Sequence, residues 1–404
     1  AGKSLDGRQC IVVRIEEEGQ VANASAVLVE TLRRRASAAS ERFGQQTEES
    51  LRADFRLGDV LHDRGAYEEA EPLLRRVHES TVATLGPNDP HTLSSVNSLA
   101  CLLESQGKFT EAEPLYRRAL EGREATFGPK HPNTLTSVNN LALLLKSQGK
   151  FTEAEPLYRR ALEGREATFG PKHPNTLTSV NNLALLLKSQ GKFTEAEPLY
   201  RRALEGREAT LGPKHPDTLT SVNNLACLLE SQGKFAEAEP LYRRALEGRE
   251  AILGPNHPHT LSSMNNLAGL LKSQGKFTEA EPLHRRALEG YEATLGPKHP
   301  DTLVSVNNLA IFLESQGKFT EAEPLYRRAL EGREATLGPK HPSTLNSVFN
   351  LADFLEQTGA VDEAEQLYIR HLQGMEALHG KEHDKTVASR KKLEQFRRSL
   401  KTTQ

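Results

Sequence analysis

Apolar residues along this chain follow a short period that predicts helices, and the helices recur with a long period of 42 residues. Between residues 134 and 147, apolar side chains return every three or four positions, which is typical of an amphipathic helix, here called helix A. Gly149 is expected to end it, because glycine readily takes the left-handed conformation at a helix C-terminus. A second apolar stripe, at residues 154–162, predicts helix B, which ends near Phe169.

The start of helix B has its own signals. Thr152 and Glu155 have the spacing of a capping box, in which the hydroxyl and the carboxylate bind free backbone amides at a helix N-terminus. Pro156 lies close enough to that start to remove at most one backbone hydrogen bond. The unit therefore predicts two helices joined by a tight turn.

This unit is copied along most of the chain. Residues 109–150 and 151–192 are identical, and the unit recurs with minor changes as far as Gly359. The glycine after helix A recurs every 42 residues, at Gly65, Gly107, Gly149, Gly191, Gly233, Gly275, Gly317 and Gly359. Such a period indicates a solenoid, in which each unit buries its apolar face only against its neighbours. An extended binding surface is a more natural use of such copies than one catalytic site.

Several residues of the unit carry the tetratricopeptide signature, namely Leu141, Ala142, Leu145, Gly149, Ala154, Tyr158 and Ala161. The longer unit, with NNLA in helix A, EAEPLYRRAL in helix B and an LGPKHP-like loop, closely resembles the kinesin light chain and nephrocystin-3 group over residues 45–385. The resemblance implies an all-α, right-handed superhelical solenoid of about eight tandem helical hairpins. It also implies that helix A lines a concave groove.

The two ends of the chain depart from the pattern. Residues 1–44 are predicted to be a degenerate segment that contains a worn helix B at 21–43, and residues 45–385 form the solenoid. Residues 386–404 are predicted to be a capping helix, an extra helix A in which Lys391 and Lys392 replace the paired asparagines. A polar last helix suits the end of a solenoid, since nothing stacks on it.

Within helix A, the differences between copies fall on one stripe. Two asparagine rows run along it. The first row is Asn97, Asn139, Asn181, Asn223, Asn265 and Asn307, and the second row is Asn140, Asn182, Asn224, Asn266 and Asn308, with Asn350 in the last unit. Variable residues flank the rows at Leu143, Lys146, Leu185, Lys188, Cys227, Glu230, Lys272 and Glu314. Their spacing of three and four residues places them on the same helix face as the first row.

The resemblance implies that the asparagines hold the backbone of a bound peptide, because an amide both donates and accepts hydrogen bonds. The variable residues would then select the side chains of that peptide. A competing interpretation is that the asparagines only join neighbouring helices and hold the units in register. We expect the second row to be partly buried.

Composition narrows the function. Lys and Arg total 52 and Asp and Glu total 54, so no basic surplus predicts nucleic-acid or membrane-surface binding. No apolar run approaches the roughly 20 residues of a membrane-spanning helix. The three cysteines do not form a disulfide framework, which favours a reducing compartment such as the cytoplasm. The chain opens on Ala1 rather than Met, so a trimmed targeting peptide is left open.

Little in the sequence predicts chemistry. The loop histidines His131, His173, His215, His257, His299 and His341 occur once per unit, which favours a loop-capping role over a metal cluster. Glu155 and Arg159 are predicted to form an i,i+4 ion pair on a solvated face. No nucleophile elbow, zinc spacing or dinucleotide fingerprint is present, so no catalytic residue, metal or cofactor is predicted.

We therefore predict a non-enzymatic scaffold whose groove binds an extended segment of a partner protein, as a cargo or complex-assembly adaptor. Two alternatives stay open at this point. The chain could be a structural subunit of a large complex that docks through its convex face and edges. It could also be the sensor arm of a larger enzyme.

Overall fold

The computed structural model describes residues 20–44 and 47–403, which form a continuous stack of helices. The helices A are α2 (Glu48–Asp63), α4 (Pro90–Ser105), α6 (Pro132–Ser147), α8 (Pro174–Ser189), α10 (Pro216–Ser231), α12 (Pro258–Ser273), α14 (Pro300–Ser315), α16 (Pro342–Thr358) and α18 (Asp384–Thr403). The helices B are α1 (Gln20–Phe43), α3 (Tyr67–Leu85), α5 (Phe109–Phe127), α7 (Phe151–Phe169), α9 (Phe193–Leu211), α11 (Phe235–Leu253), α13 (Phe277–Leu295), α15 (Phe319–Leu337) and α17 (Val361–His379). The all-α superhelical solenoid predicted from the sequence is thus confirmed.

Local signals explain the ends of helix A. In α6, Pro132 occupies the first turn and Nδ1 of His131 accepts a hydrogen bond from the backbone N–H of Asn133, at 3.2 Å. This contact recurs at the other loop histidines, so their predicted capping role is confirmed. Beyond the C-terminus of α6, Gly149 has a φ of +79°, the left-handed conformation that its position predicted.

The predicted capping box at the start of helix B is wrong. Helix α7 begins at Phe151, and its N-cap is Lys150, which makes no side-chain capping bond. Glu155 instead accepts hydrogen bonds from Arg159, from Gln190 at 3.3 Å and from Lys192 at 3.1 Å. The last two residues belong to the turn of the following unit, so a long-range ion pair replaces the local cap.

Each hairpin buries an apolar core between its two helices and the next helix A. In the unit α6–α7, Leu141, Leu145 and Tyr158 are at most 2% exposed. Gly164 allows the closest approach, since a Cβ added there would lie 2.5 Å from Cδ2 of Leu135. Small residues on helix B therefore bring the leucines of helix A into contact with its backbone.

A buried arginine ties successive units together. Arg207, on α9, donates to Oγ of Ser221 at 2.9 Å and to the carbonyl of Asp217 at 3.0 Å, both on the following α10. It also donates to Oγ1 of Thr178, on α8 of its own unit, at 3.1 Å. This guanidinium of α9 thus bonds both α8 and α10 and joins one hairpin to the next.

The stack curves and closes on itself. Successive helices A lie close to one another in the pairs α2/α4, α10/α12 and α12/α14. Successive helices B are further apart. The helices A therefore line the inner side of the curved stack. Six units further along, Nε2 of His341 donates to the carbonyl oxygen of Ser105 at 3.2 Å. Gly107 packs beside the same histidine. One superhelical turn therefore rests on the next.

The ends of the described chain are single helices. Helix α1 spans the segment predicted as a worn helix B. Helix α18 places Nζ of Lys392 2.9 Å from both Asp353 and Glu356 of α16. Residues 1–19 lie outside the described residues, and the division at 44 and 385 stays a prediction.

Candidate functional site

The inner face of the solenoid presents the variable stripe predicted from the sequence. Leu143, Lys146 and the corresponding residues of the other units are all half-buried on helices A. Leu143 packs against the core with part of its side chain and leaves the other part exposed on the stripe. The stripe is continuous, because each helix A carries it at the same register. We call this surface the groove.

The two asparagine rows are bonded to each other. Nδ2 of Asn140 donates to Oδ1 of Asn97 in the preceding unit at 2.9 Å, and Asn182 donates likewise to Asn139 at 2.8 Å. Three more pairs continue this asparagine ladder, namely Asn224–Asn181, Asn266–Asn223 and Asn350–Asn307. The ladder uses the carbonyl oxygens of the first row to join units, which is the contact expected from the stacking interpretation.

The second row is partly buried, as expected, but the first row is buried more deeply. From Asn139 to Asn307 the first row is only 7–8% exposed, whereas the second row is half-buried. Oδ1 of Asn182 accepts no hydrogen bond from any residue that the structure describes. The second row is therefore the more accessible of the two, and the contact of either row with a peptide stays a prediction.

One step of the ladder is replaced. Nδ2 of Asn265 donates to Oγ of Ser305 at 3.2 Å, and its Oδ1 lies 3.2 Å from Nδ1 of His284. Most other units have tyrosine at the position of His284. Burial lowers the pKa of His284 to about 4, with Lys272 adding to the effect, so the imidazole is neutral at pH 7.

A pairing that the sequence analysis missed links helix B to the groove. The Tyr116 hydroxyl donates to Oε2 of Glu104 at 2.8 Å, and the Tyr242 hydroxyl donates to Glu230 at 2.6 Å. Burial raises the pKa of Glu104, and the hydrogen bonds from Tyr116 and Ser147 oppose it. Comparing the copies for carboxylates opposite each tyrosine would have revealed this pairing.

A second missed feature is a cavity of about 700 Å³ in the first unit, bordered by Phe55, Thr81 and Ser95. Thr81 occupies the position in the first unit that Arg207 occupies in a later unit. The Thr81 hydroxyl lies 3.0 Å from the hydroxyl of Ser95. Thr81 therefore borders this open space at the register where Arg207 reaches the following helix A in its own unit. The sequence signal for this cavity is the change from arginine to threonine at one position of helix B.

The outer face carries the predicted charge pairs. Arg159 contacts Glu155 at 2.7 Å, which confirms the i,i+4 pair. The hydrogen bond from Arg159 lowers the pKa of Glu155 most, burial opposes it, and bonds from Lys192 and Gln190 bring it to about 2. Within residues 20–44 and 47–403, no His, Cys, Asp and Glu cluster is placed to hold a metal ion. No helix in the same ranges has the length and apolar character of a membrane span.

The fold and the repeated groove define a tandem helical-hairpin scaffold. The tetratricopeptide repeat model matches residues 49–125, 103–167, 133–209, 179–251, 223–293 and 260–311, and two related tetratricopeptide repeat models match 302–343 and 347–381. The chain therefore belongs to the tetratricopeptide repeat family. No curated protein matches the sequence.

Several solved structures are similar. A putative kinesin light chain from Podosopora anserina with nearly identical TPR-like repeats is 27% identical, with 50% of this chain and 95% of that chain covered and a TM-score of 0.44. Yeast Tom70 is 16% identical, with 94% and 72% covered and a TM-score of 0.55. A Rap protein complexed with Competence and Sporulation Factor is 14% identical, with 89% and 100% covered and a TM-score of 0.52. The last two likenesses show the fold.

Proposed function

We propose that this protein is a non-enzymatic scaffold that binds an extended segment of a partner protein in the groove. One observation carries the proposal: side chains differ between otherwise near-identical units where helix A faces the groove. Leu143 and Lys146 of one unit correspond to Cys227 and Glu230 of another, while the buried core of both units is the same. Such variation changes the surface without changing the fold.

The second asparagine row supplies the contact for a peptide backbone. All of these side chains except Asn308 donate to the preceding unit, and in the proposal their carbonyl oxygens accept hydrogen bonds from the N–H groups of a peptide. One such bond contributes about 0.5–1.5 kcal/mol net, so micromolar binding requires several units together. The repetition of the row along the stack meets that requirement.

The first row is assigned mainly to stacking in this proposal. Asn139 and Asn181 use their carbonyl oxygens in the ladder and are less than one-tenth exposed. They position the second row rather than contact the partner directly. A partner segment would run across successive helices A, along the direction in which the ladder runs.

The partner is proposed to be a protein, since tetratricopeptide repeats are generally interaction scaffolds. The similar fold of the Rap protein holds a Competence and Sporulation Factor. The free thiols of Cys101 and Cys227 are consistent with a reducing compartment, the cytoplasm being our proposal. Neither nucleic acid nor membrane insertion is part of this function.

Site-specific photocrosslinking in native extract tests the proposal. A photoreactive phenylalanine analogue is placed at Leu185 in the groove, and in a matched variant at Glu205, an exposed residue of helix B. We expect an adduct from Leu185 that maps to one extended segment of the partner, and none from Glu205. Thermal melts of both variants verify that the solenoid is intact.

The opposite pattern of crosslinks would support the alternative that the chain is a structural subunit. Adducts from Glu205 with none from Leu185 identify a structural subunit that docks through its outer face. In that case the groove does not hold the partner, and the proposed function is wrong.

A further inference from the structure

The cavity of about 700 Å³ in the first unit lies between α2, α3 and α4. Its volume falls in the range of roughly 300–1,000 Å³ in which proteins bind small molecules. Several of its lining residues differ from those of the repeated unit. Phe55, Arg56, Val77 and Thr81 stand at the positions that a later unit fills with Asn181, Asn182, Ala203 and Arg207. The lining has therefore changed at four positions together.

The wall of the cavity is largely apolar. Leu51 and Val77 are 8% and 4% exposed, and the half-buried ring of Phe55 borders the cavity with them. Leu85, the last residue of α3, is 50% exposed and therefore lies at the mouth of the cavity rather than in the core. An alkyl chain that covers such surfaces gains about threefold to fourfold in affinity for each methylene removed from water.

The two buried hydroxyls of the wall already have partners. Thr81 donates to the carbonyl oxygen of His78 at 3.0 Å, and Ser95 donates to the carbonyl oxygen of Thr92 at 2.8 Å. Neither hydroxyl therefore requires a polar group from an occupant. The inner part of the cavity suits an apolar body.

The mouth of the cavity carries charge. Glu48, Arg52 and Arg56 border it and are exposed. Arg52 forms an ion pair with Glu48, whereas Arg56 forms none with any residue that the structure describes. Among the arginine and glutamate side chains of the mouth, one positive charge is therefore uncompensated. This charge attracts an anion and repels a cation.

We propose that this cavity binds a small organic anion with an aliphatic body, of the kind of a medium-chain carboxylate. The alkyl chain lies against Leu51, Phe55 and Val77. The carboxylate stays at the mouth, where it accepts hydrogen bonds from the guanidinium of Arg56. The site is a separate one from the partner segment of the proposed function and does not rest on it.

Isothermal titration calorimetry with the full chain tests this site. The ligands are octanoate, hexanoate, 1-octanol and octylammonium, each at concentrations at which it stays monomeric. We expect one octanoate to bind per chain. Hexanoate, two methylenes shorter, is expected to bind about tenfold more weakly. Octylammonium is also expected to bind about tenfold more weakly than octanoate, because it loses the charge-assisted hydrogen bonds from Arg56 and is repelled by it.

Thr81→Arg tests whether the anion binds in this cavity. The arginine at this position in five later units is at most 9% exposed and donates to the serine that corresponds to Ser95. The new side chain is therefore expected to extend into the cavity toward Ser95 and to abolish octanoate binding. Thr152→Arg makes the same substitution at an exposed position of α7 and is expected to bind octanoate as the wild type does.

Two further variants assign the two ends of the ligand. Arg56→Asn is expected to lower the affinity for octanoate to that for 1-octanol and to leave 1-octanol binding unchanged. Phe55→Asn is expected to weaken octanoate and 1-octanol by the same factor. Both substitutions install the residue that most units have at that position, so the solenoid is expected to stay folded, and thermal melts verify this.

The contrary outcomes are distinct. Octanoate binding that survives in Thr81→Arg places the anion elsewhere and overturns the assignment. Equal affinities for octanoate and octylammonium, or no binding of any of the four ligands, overturn it as well. If Thr81→Arg does not fold, an unchanged octanoate affinity in Phe55→Asn has the same meaning. None of these results bears on the groove, which the crosslink at Leu185 tests separately.

Discussion

The side-chain amide of Asn182 donates a hydrogen bond to Oδ1 of Asn139, 2.8 Å away in the preceding unit. Two residues that the sequence places in separate copies of one motif are therefore a single structural pair. The pair joins two stacked hairpins beside the groove. It also explains why the two adjacent asparagines of each unit differ in burial.

The asparagine ladder predicts that the same substitution, asparagine to alanine, lowers the free energy of unfolding by different amounts in different units. Asn182→Ala leaves the carbonyl oxygen of Asn139 buried without its donor and is expected to destabilise the chain by about 1–2 kcal/mol. Asn308→Ala, in the unit where Asn265 bonds Ser305 and His284 instead, is expected to cost clearly less. Urea unfolding followed by circular dichroism compares the two variants. Equal losses would show that the ladder does not stabilise the stack.

The tyrosine hydroxyls predict that removing a hydroxyl changes the stability of the free protein differently in two units. Tyr116→Phe removes the donor to the half-buried carboxylate of Glu104 and is expected to cost about 1–3 kcal/mol. Tyr158→Phe removes a buried hydroxyl that has no acceptor, so its stability is expected to be unchanged or slightly higher. Melting temperatures of both variants give the answer. A large loss in Tyr158→Phe would mean that its hydroxyl has an acceptor in solution.

Two helical glycines are expected to respond in opposite directions to alanine. A Cβ at Gly164 would lie 2.5 Å from Leu135 in the packed core, so Gly164→Ala is expected to destabilise by about 1–3 kcal/mol. A Cβ at Gly269 meets nothing within 4 Å, and Gly269→Ala is expected to stabilise α12 by about 0.5–1 kcal/mol. Thermal denaturation distinguishes the two. A destabilised Gly269→Ala would contradict the open space beside that residue.

The outer glutamates predict loss of stability in acid. The pKa of Glu155 is lowered to about 2 in the folded chain, first by the bond from Arg159, from an ordinary value of 4.5. A lowered folded pKa stabilises above about pH 4.5, and this contribution is lost as the pH falls toward 2. The melting temperature should therefore decline across that window, less steeply in Glu155→Gln than in the wild type.

The matched control for this titration is Glu163→Gln, an exposed carboxylate of the same helix with no ion pair to any described residue. It is expected to follow the wild-type curve. If Glu155→Gln also follows that curve, the ion pairs of the hairpin turns do not contribute to acid stability.

The contact between superhelical turns predicts a change of shape. His341→Ala removes both the cap of α16 and the bond to Ser105, whereas His215→Ala removes only the equivalent cap of α10. Small-angle X-ray scattering should show a larger radius of gyration for His341→Ala than for His215→Ala. Identical scattering curves would mean that the turn-to-turn contact does not hold the superhelix closed.

Much of the local structure could be predicted from the sequence. The spacing of Leu135, Leu141 and Leu145 placed helix A, and Gly149 placed its end, because these signals act within a few residues. The repeat then required every unit to adopt the same hairpin. The prediction failed at Glu155, whose side chain bonds Gln190 and Lys192 of the next unit rather than its own backbone.

The sequence by itself determined a tandem helical-hairpin solenoid and the residues on its variable stripe, since both follow from periodicity along one chain. Only the tertiary structure decided which asparagine of each pair is buried and which tyrosine lacks an acceptor. These depend on how closely one unit approaches the next. The contact of His341 with Ser105 depends on the sum of small rotations over six units, and no local pattern encodes that sum.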